Sequence, residues 1–256
     1  MPRSVSTPAR RRRSASHRRQ LLCGLLAWAL LTPPELPAAG QPSAPATLFR
    51  ENFDNLNSWR TWEFTRIKRV SRYEVQEEAG NFVLRLEAER SAAGLILTRN
   101  FPVRKNLRLR WRVEVYPRVI DPRRRTGDDF AIRIYVIFEQ DAARAGWLER
   151  WALRDAPFRS EGILPERSLA YVSTRISGLP EFYPNPYTNR VVVLPILTDD
   201  DAIGAWQEIS VDPVADYRRA FGKEPPAYFR FALMSDADDS RSRALAWLDF
   251  IEVRRE

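Results

Sequence analysis

Histidine and cysteine are almost absent from this 256-residue chain. There is one of each, His17 and Cys23, and both lie in its first 25 residues. The remainder therefore has no means to form a disulfide, a thiolate nucleophile, a Ser-His-Asp triad or the usual zinc site. Catalysis there would fall to Asp, Glu, Tyr, Lys, Arg or Ser. The apolar run at residues 21–31 is too short for a bilayer, which needs about 20 residues. The chain also shows no internal repeat, and no internal linker splits it. Its length suits one large β domain or two small ones.

The basic excess of +8 is unevenly distributed. Residues 1–46 hold seven arginines and a single acid, Glu35. The rest keeps 34 basic and 32 acidic residues, close to +2. The high pI thus belongs largely to the start of the chain and argues against a nucleic-acid partner for the folded part. Residues 1–20 are rich in Arg, Ser and Pro. The apolar run follows, stopped by Pro33 and Pro34, and small residues surround Ala38-Ala39-Gly40. This order predicts a signal peptide over residues 1–40, with cleavage after Gly40 or after Ala46. A transit peptide, a nuclear signal on Arg10 to Arg13 and a lipoprotein site at Cys23 fit less well. Arg18-Arg19-Gln20-Leu21-Leu22 has the twin-arginine form, and an ordinary secretory signal stands equally beside it. The expected location is the bacterial periplasm or the exterior, with no membrane span in the mature protein.

Residues 41–47 form a Pro/Ala/Ser linker, and a single domain is expected over 48–256. Its dominant period is two, the strand pattern. Leu107, Leu109, Trp111, Val113 and Val115 alternate with Arg108, Arg110, Arg112 and Glu114. Phe130, Ile132, Ile134, Val136 and Phe138 repeat the pattern after Asp128. Residues 73–76 and 82–88 flank Ala79-Gly80-Asn81 as a hairpin. Further strands are expected near 93–98, 169–173, 190–197, 206–211, 228–234 and 244–253. Two short helices are expected: one over 142–153, the other over 213–221 with Asp212 as N-cap and Gly222 as stop. About ten half-buried strands with few helices predict an all-β fold, a two-sheet jelly-roll-like sandwich.

Several motifs, taken in order, resemble a known family. They are Asp128-Asp129-Phe130-Ala131-Ile132-Arg133-Ile134-Tyr135-Val136-Ile137-Phe138, then Leu169-Ala170-Tyr171-Val172, then Asn185-Pro186-Tyr187. Asp216-Tyr217-Arg218-Arg219-Ala220-Phe221-Gly222-Lys223-Glu224-Pro225-Pro226 comes next. Met234-Ser235-Asp236-Ala237-Asp238-Asp239-Ser240 and Ala246-Trp247-Leu248-Asp249-Phe250-Ile251 close the series. Over about residues 50–254 the chain resembles the bacterial domain-of-unknown-function family 3047. The resemblance implies an exported β-sandwich and brings no assigned activity. The chain departs from the family in lacking tryptophans near Leu109 and Ser173, and residues 141–167 are longer than usual.

Candidate residues fall in separate stretches. Asp128 and Asp129 are expected to open a strand whose polar face carries Asp129, Ala131, Arg133 and Tyr135, either as a ligand groove or as a solvated face with an Asp129–Arg133 pair. Arg108, Arg110 and Arg112, with Arg133 nearby, would suit an anion, or else pair with neighbouring acids. Tyr183, Asn185 and Tyr187 lie on an aromatic, Pro-rich loop suited to stacking a sugar or to closing the core. Asp236, Asp238 and Asp239 suggest an oxygen-rich loop for Ca2+, although EF-hand spacing is missing and a solvated turn has the same composition. Asp199-Asp200-Asp201 is a weaker acidic loop. A pair such as Asp128 with Asp201 would suit a glycosidase only at the right separation. Three functions remain open: a non-catalytic module binding a glycan or other small ligand, a polysaccharide-acting enzyme, and a structural or partner-binding protein. Seven tryptophans follow the leader, and a sandwich core can absorb most of them.

Overall fold

The computed structural model describes residues 46–63, 69–139 and 165–255. The leader, most of the linker and the helix expected over 142–153 lie outside these. Among the described residues no helix is long and apolar enough to cross a membrane.

The strands form two sheets. In the six-stranded sheet β14 (Arg243–Arg254) runs along β7 (Asn106–Val115), which pairs outward with β12 (Gln207–Val211). The other edge of β14 is shared. Its first half pairs with β4 (Asn81–Glu89) and its second with β1 (Thr47–Glu51). β1 thus begins at Thr47, the last residue of the stretch expected as linker. β3 (Arg72–Glu78) completes this sheet through the expected hairpin, whose two turn residues, Ala79 and Gly80, have φ of 52° and 80°.

The eight-stranded sheet follows the same plan around β13 (Tyr228–Asp236). β8 (Arg133–Glu139) lies on one side, and β5 (Ala92–Leu97) and β6 (Phe101–Pro102) share the other. β2 (Trp59–Trp62) pairs with β5. Beyond β8 come β9 (Pro165–Thr174), β11 (Val191–Leu197) and β10 (Tyr183–Pro184). β11 runs parallel to β9, a pairing that strand periodicity does not reveal.

Alternation explains the core. Leu107, Leu109, Trp111 and Val113 face Ile134, Val136, Phe138, Phe229, Phe231 and Leu233 across the sandwich. Each such side chain contributes about 1.5–3 kcal/mol on leaving water. In β14 the inward set is Ala244, Ala246 and Leu248, then Ile251 and Val253. The change of parity coincides with a register shift between Leu248 and Phe250. That bulge sends Phe250 outward, where the Arg50 guanidinium lies 3.8 Å from its ring centre. Helix α1 (Pro213–Phe221) forms as expected. Asp212 accepts from the N–H groups of Val214 and Ala215 at 2.9 and 3.0 Å, and Tyr217 packs its ring 4.5 Å from that of Phe138.

The two outer faces differ in kind. On the six-stranded sheet the arginines are paired. Arg108 meets Glu252 at 2.8 Å, Arg110 meets Asp249, and Arg112 meets Glu78 at 2.7 Å. Arg112 also lies between the rings of Trp206 and Trp247, 4.7 and 4.5 Å away. Arg133 belongs to the other sheet, so the expected arginine patch that included it does not form. The outer face of the eight-stranded sheet is apolar and buried, with Ile96, Tyr135, Ile137, Val172, Val193 and Met234 in one cluster. The charged Arg133 lies on this face at its end.

Candidate functional site

Three of the nominated stretches meet at this end: the segment entering β8, the loop through β10, and the turn joining β13 to β14. Arg133 is their centre. It is 1% exposed and extends Nη1 to both carboxylate oxygens of Asp128 at 3.2 and 3.3 Å. Its Nη2 donates to the Asp128 carbonyl at 2.8 Å and to Asp236 Oδ2 at 2.7 Å. Asp128 also accepts from the Asn185 amide at 2.7 Å. Asp236 accepts the Phe130 N–H at 3.0 Å, and the Phe130 ring lies 4.7 Å from the guanidinium.

Asp128 and Asp129 precede the strand rather than open it, since β8 starts at Arg133. The chain bends at Ala131, which enters the main core, while Phe130 joins the Arg133 face. The expected alternation of Asp129, Ala131, Arg133 and Tyr135 is therefore broken at Ala131. The solvated Asp129–Arg133 pair does not form either. Asp129 instead accepts the N–H groups of Asp239 and Ser240 at 3.3 and 2.5 Å, clamping the acidic turn.

The turn is also divided differently from its sequence reading. Asp236 is the last residue of β13 and is 2% exposed. Asp239 leaves the group and accepts from the Tyr187 hydroxyl at 2.7 and 2.9 Å. Asp129 takes its place, and one carboxylate oxygen each from Asp129, Asp236 and Asp238 lie within 4.8 Å of one another. Three clustered carboxylates can hold a hard cation. Here Asp129 and Asp236 already accept on both oxygens, and a guanidinium bonds to Asp236.

Sequence reasoning missed Asp121, Arg125 and Gly127, which set the approach to the site. Arg125 stacks its guanidinium 5.2 Å from the Tyr187 ring centre and donates to the Pro186 carbonyl at 3.1 Å. The Tyr187 hydroxyl oxygen also lies 3.0 Å from the Arg125 carbonyl oxygen. A Cβ at Gly127 would sit 2.5 Å from the Asp121 carbonyl oxygen, so only glycine lets this turn close. A glycine directly before two aspartates was the signal available in the sequence.

Burial governs the electrostatics. It raises the carboxyls of Asp128 and Asp236, against the pull of Arg133. Asp238 is pushed up to about 6, by burial first and then by the carboxylates of Asp129 and Asp239. Asp239 is raised by burial, which its bond from Tyr187 opposes. Burial works against the charge of Arg133, but Asp128 and Asp236 outweigh it and the group stays protonated. Among the buried polar atoms without a hydrogen-bond partner in the described residues, Arg133 Nε and the Tyr183 hydroxyl belong to this site. Tyr135 donates weakly to Met234 Sδ at 3.7 Å. Tyr187 is 52% exposed. Asp201 belongs to the short turn Asp200–Ala202, where Asp200 accepts from Arg175 at 2.8 Å.

Fold and site together define a two-sheet β-sandwich with a polar site built by loops at one end. The chain belongs to the family described as "Protein of unknown function (DUF3047)", whose model matches residues 57–252. No curated protein matches it. Among solved structures it is similar to the family 30 carbohydrate-binding module of cellulosomal cellulase Cel9D-Cel44B of Clostridium thermocellum, at 10% identity, with 78% of this chain and 92% of that one covered and a TM-score of 0.40. The family 11 carbohydrate-binding module from the same organism, in complex with a β-1,3-1,4-mixed-linked tetrasaccharide, is 8% identical over 79% and 91%, with a TM-score of 0.37. TmCBM61 in complex with β-1,4-galactotriose is 8% identical over 80% and 94%, with a TM-score of 0.33. These likenesses are distant, and the sandwich assignment rests on the strand pairing itself.

Proposed function

We propose that this chain is an exported, non-catalytic module that binds a glycan at the loop end of the sandwich. The export part of this reading rests on the leader pattern in residues 1–40. The binding part is carried by one observation: Tyr183, Asn185 and Tyr187 converge with Asp128, Asp129 and Arg133 although their loops are far apart in sequence. Carboxylates and an amide are suited to sugar hydroxyls, and an exposed Tyr187 ring is suited to a sugar's apolar face. Affinity-gel electrophoresis of the full chain on envelope polysaccharides tests this. Retention by at least one, lost in Tyr187→Ala with an unchanged melting temperature, is expected. Equal mobility in every gel would refute it.

A carboxylate hydrolase is a second reading, supported by Asp238. Its carboxyl is raised to about 6 and lies within 4.8 Å of the Asp129 oxygen, as an acid beside a second carboxylate would be. Release of reducing ends, abolished in Asp238→Asn, would favour it over binding alone.

A further inference from the structure

The acidic cluster has a basic rim that the binding reading does not use. Arg118, Arg123, Arg124 and Arg125 are exposed on the segment between β7 and β8, and Arg241 is exposed on the turn between β13 and β14. Both segments border the site through their backbones. The Arg118 N–H donates to Ser242 Oγ at 3.0 Å, the Arg241 N–H donates to the Asp238 carbonyl at 3.3 Å, and the Arg125 guanidinium lies 5.2 Å from the Tyr187 ring centre. Of the three acids on this segment, Asp121 pairs with Arg123 at 2.8 Å and Arg124 at 3.5 Å. The Arg118 and Arg241 side chains form no ion pair among the described residues. The arginines of β7, by contrast, are each matched by an acid.

We propose that the ligand of this site is an anionic glycan. Its carboxylate, sulfate or phosphate groups lie against the arginine rim, while neighbouring hydroxyls meet Asp238 and Asp239, the half-buried carboxylates of the turn. This rests on the glycan-binding reading and adds the ligand's charge. Guanidinium groups fork onto such anions, so exposed arginines in excess at a site edge favour them. The carboxylates behind the rim repel an anion that goes deeper, so charge is confined to the edge and hydroxyls to the centre. The whole domain is near neutral, so its overall charge would not concentrate anions at this end.

The test compares the full chain with Arg118→Ala/Arg123→Ala/Arg124→Ala/Arg241→Ala. The leader's arginines are common to both. Probes are polygalacturonate for carboxylate, dextran sulfate for sulfate, neutral dextran, and vesicles of anionic phospholipid. The expected result is retention by at least one anionic polysaccharide that weakens with salt and falls about tenfold in the quadruple variant. Unchanged anionic retention in that variant overturns the proposal. If a neutral polysaccharide is retained through Tyr187 while the rim variant behaves as wild type, the binding reading stands and the charge inference falls. If no polysaccharide is retained, both fall. Rim-dependent binding confined to vesicles assigns the arginines to a membrane surface and overturns the inference.

Discussion

Arg133 carries the largest energetic consequence of any single side chain at the site. It neutralises Asp128 and Asp236, both buried, and truncating one partner of such a group leaves charge uncompensated. Arg133→Met is expected to cost about 3–5 kcal/mol, a fall of on the order of 10 °C in melting temperature for a domain of this size. Urea unfolding followed by tryptophan fluorescence checks it, and a loss below about 1 kcal/mol would mean that the acids simply take up protons. The sequence marked Arg133 as a site residue but gave the wrong partner. Residues 129 and 133 are four apart on a nominally regular strand, and the bend at Ala131 places Asp128 beside the guanidinium instead.

The segment entering β8 and the acidic turn act as one element, because Asp129 holds the turn's N–H groups. Gly127→Ala should displace this segment, since its Cβ would meet a backbone oxygen rather than a side chain that could move away. The expected outcome is weaker glycan retention together with a lower melting temperature. A variant identical to wild type in both would show that the turn has room to relax. The same element decides between a proton and a metal at Asp238. With Arg133 already supplying positive charge, millimolar Ca2+ is expected to leave the melting temperature unchanged. A rise of about 5 °C or more, reversed by chelator, would assign Asp129, Asp236 and Asp238 to calcium. The period-two pattern made these strands legible, and the capping residues made α1 legible. The clamp between segments about 110 residues apart was not, because nothing local encodes it.

At the scale of the molecule, two groups of acids impose opposite pH dependences. Burial works against ionisation of Glu252, but the Thr47 hydroxyl and the guanidinium groups of Arg254 and Arg108 bring its carboxyl down to about 2. Its contribution is present above the usual value of 4.5 and is lost as pH falls toward 2. Asp238 has the opposite sign. Its folded form holds a proton up to about 6, against 3.8 for the free group, so stability declines as pH rises through that window. Asp128, Asp236 and Asp239 are raised too and add to the decline. Unfolding free energy should therefore peak near pH 4 to 5, and Asp238→Asn should flatten the descent above it. A profile still rising from pH 4 to 7 would contradict this balance. What the sequence determined by itself is what local chemistry dictates: alternation for the two sheets, Asp212 and Gly222 for the helix ends, and the exclusion of thiol and imidazole chemistry from every residue after Cys23. Tertiary structure alone decided that β11 runs parallel to β9, that a bulge turns Phe250 outward, and that Asp129 rather than Asp239 joins Asp236 and Asp238. Each of these depends on which distant segments meet, and chain spacing carries no information about that meeting.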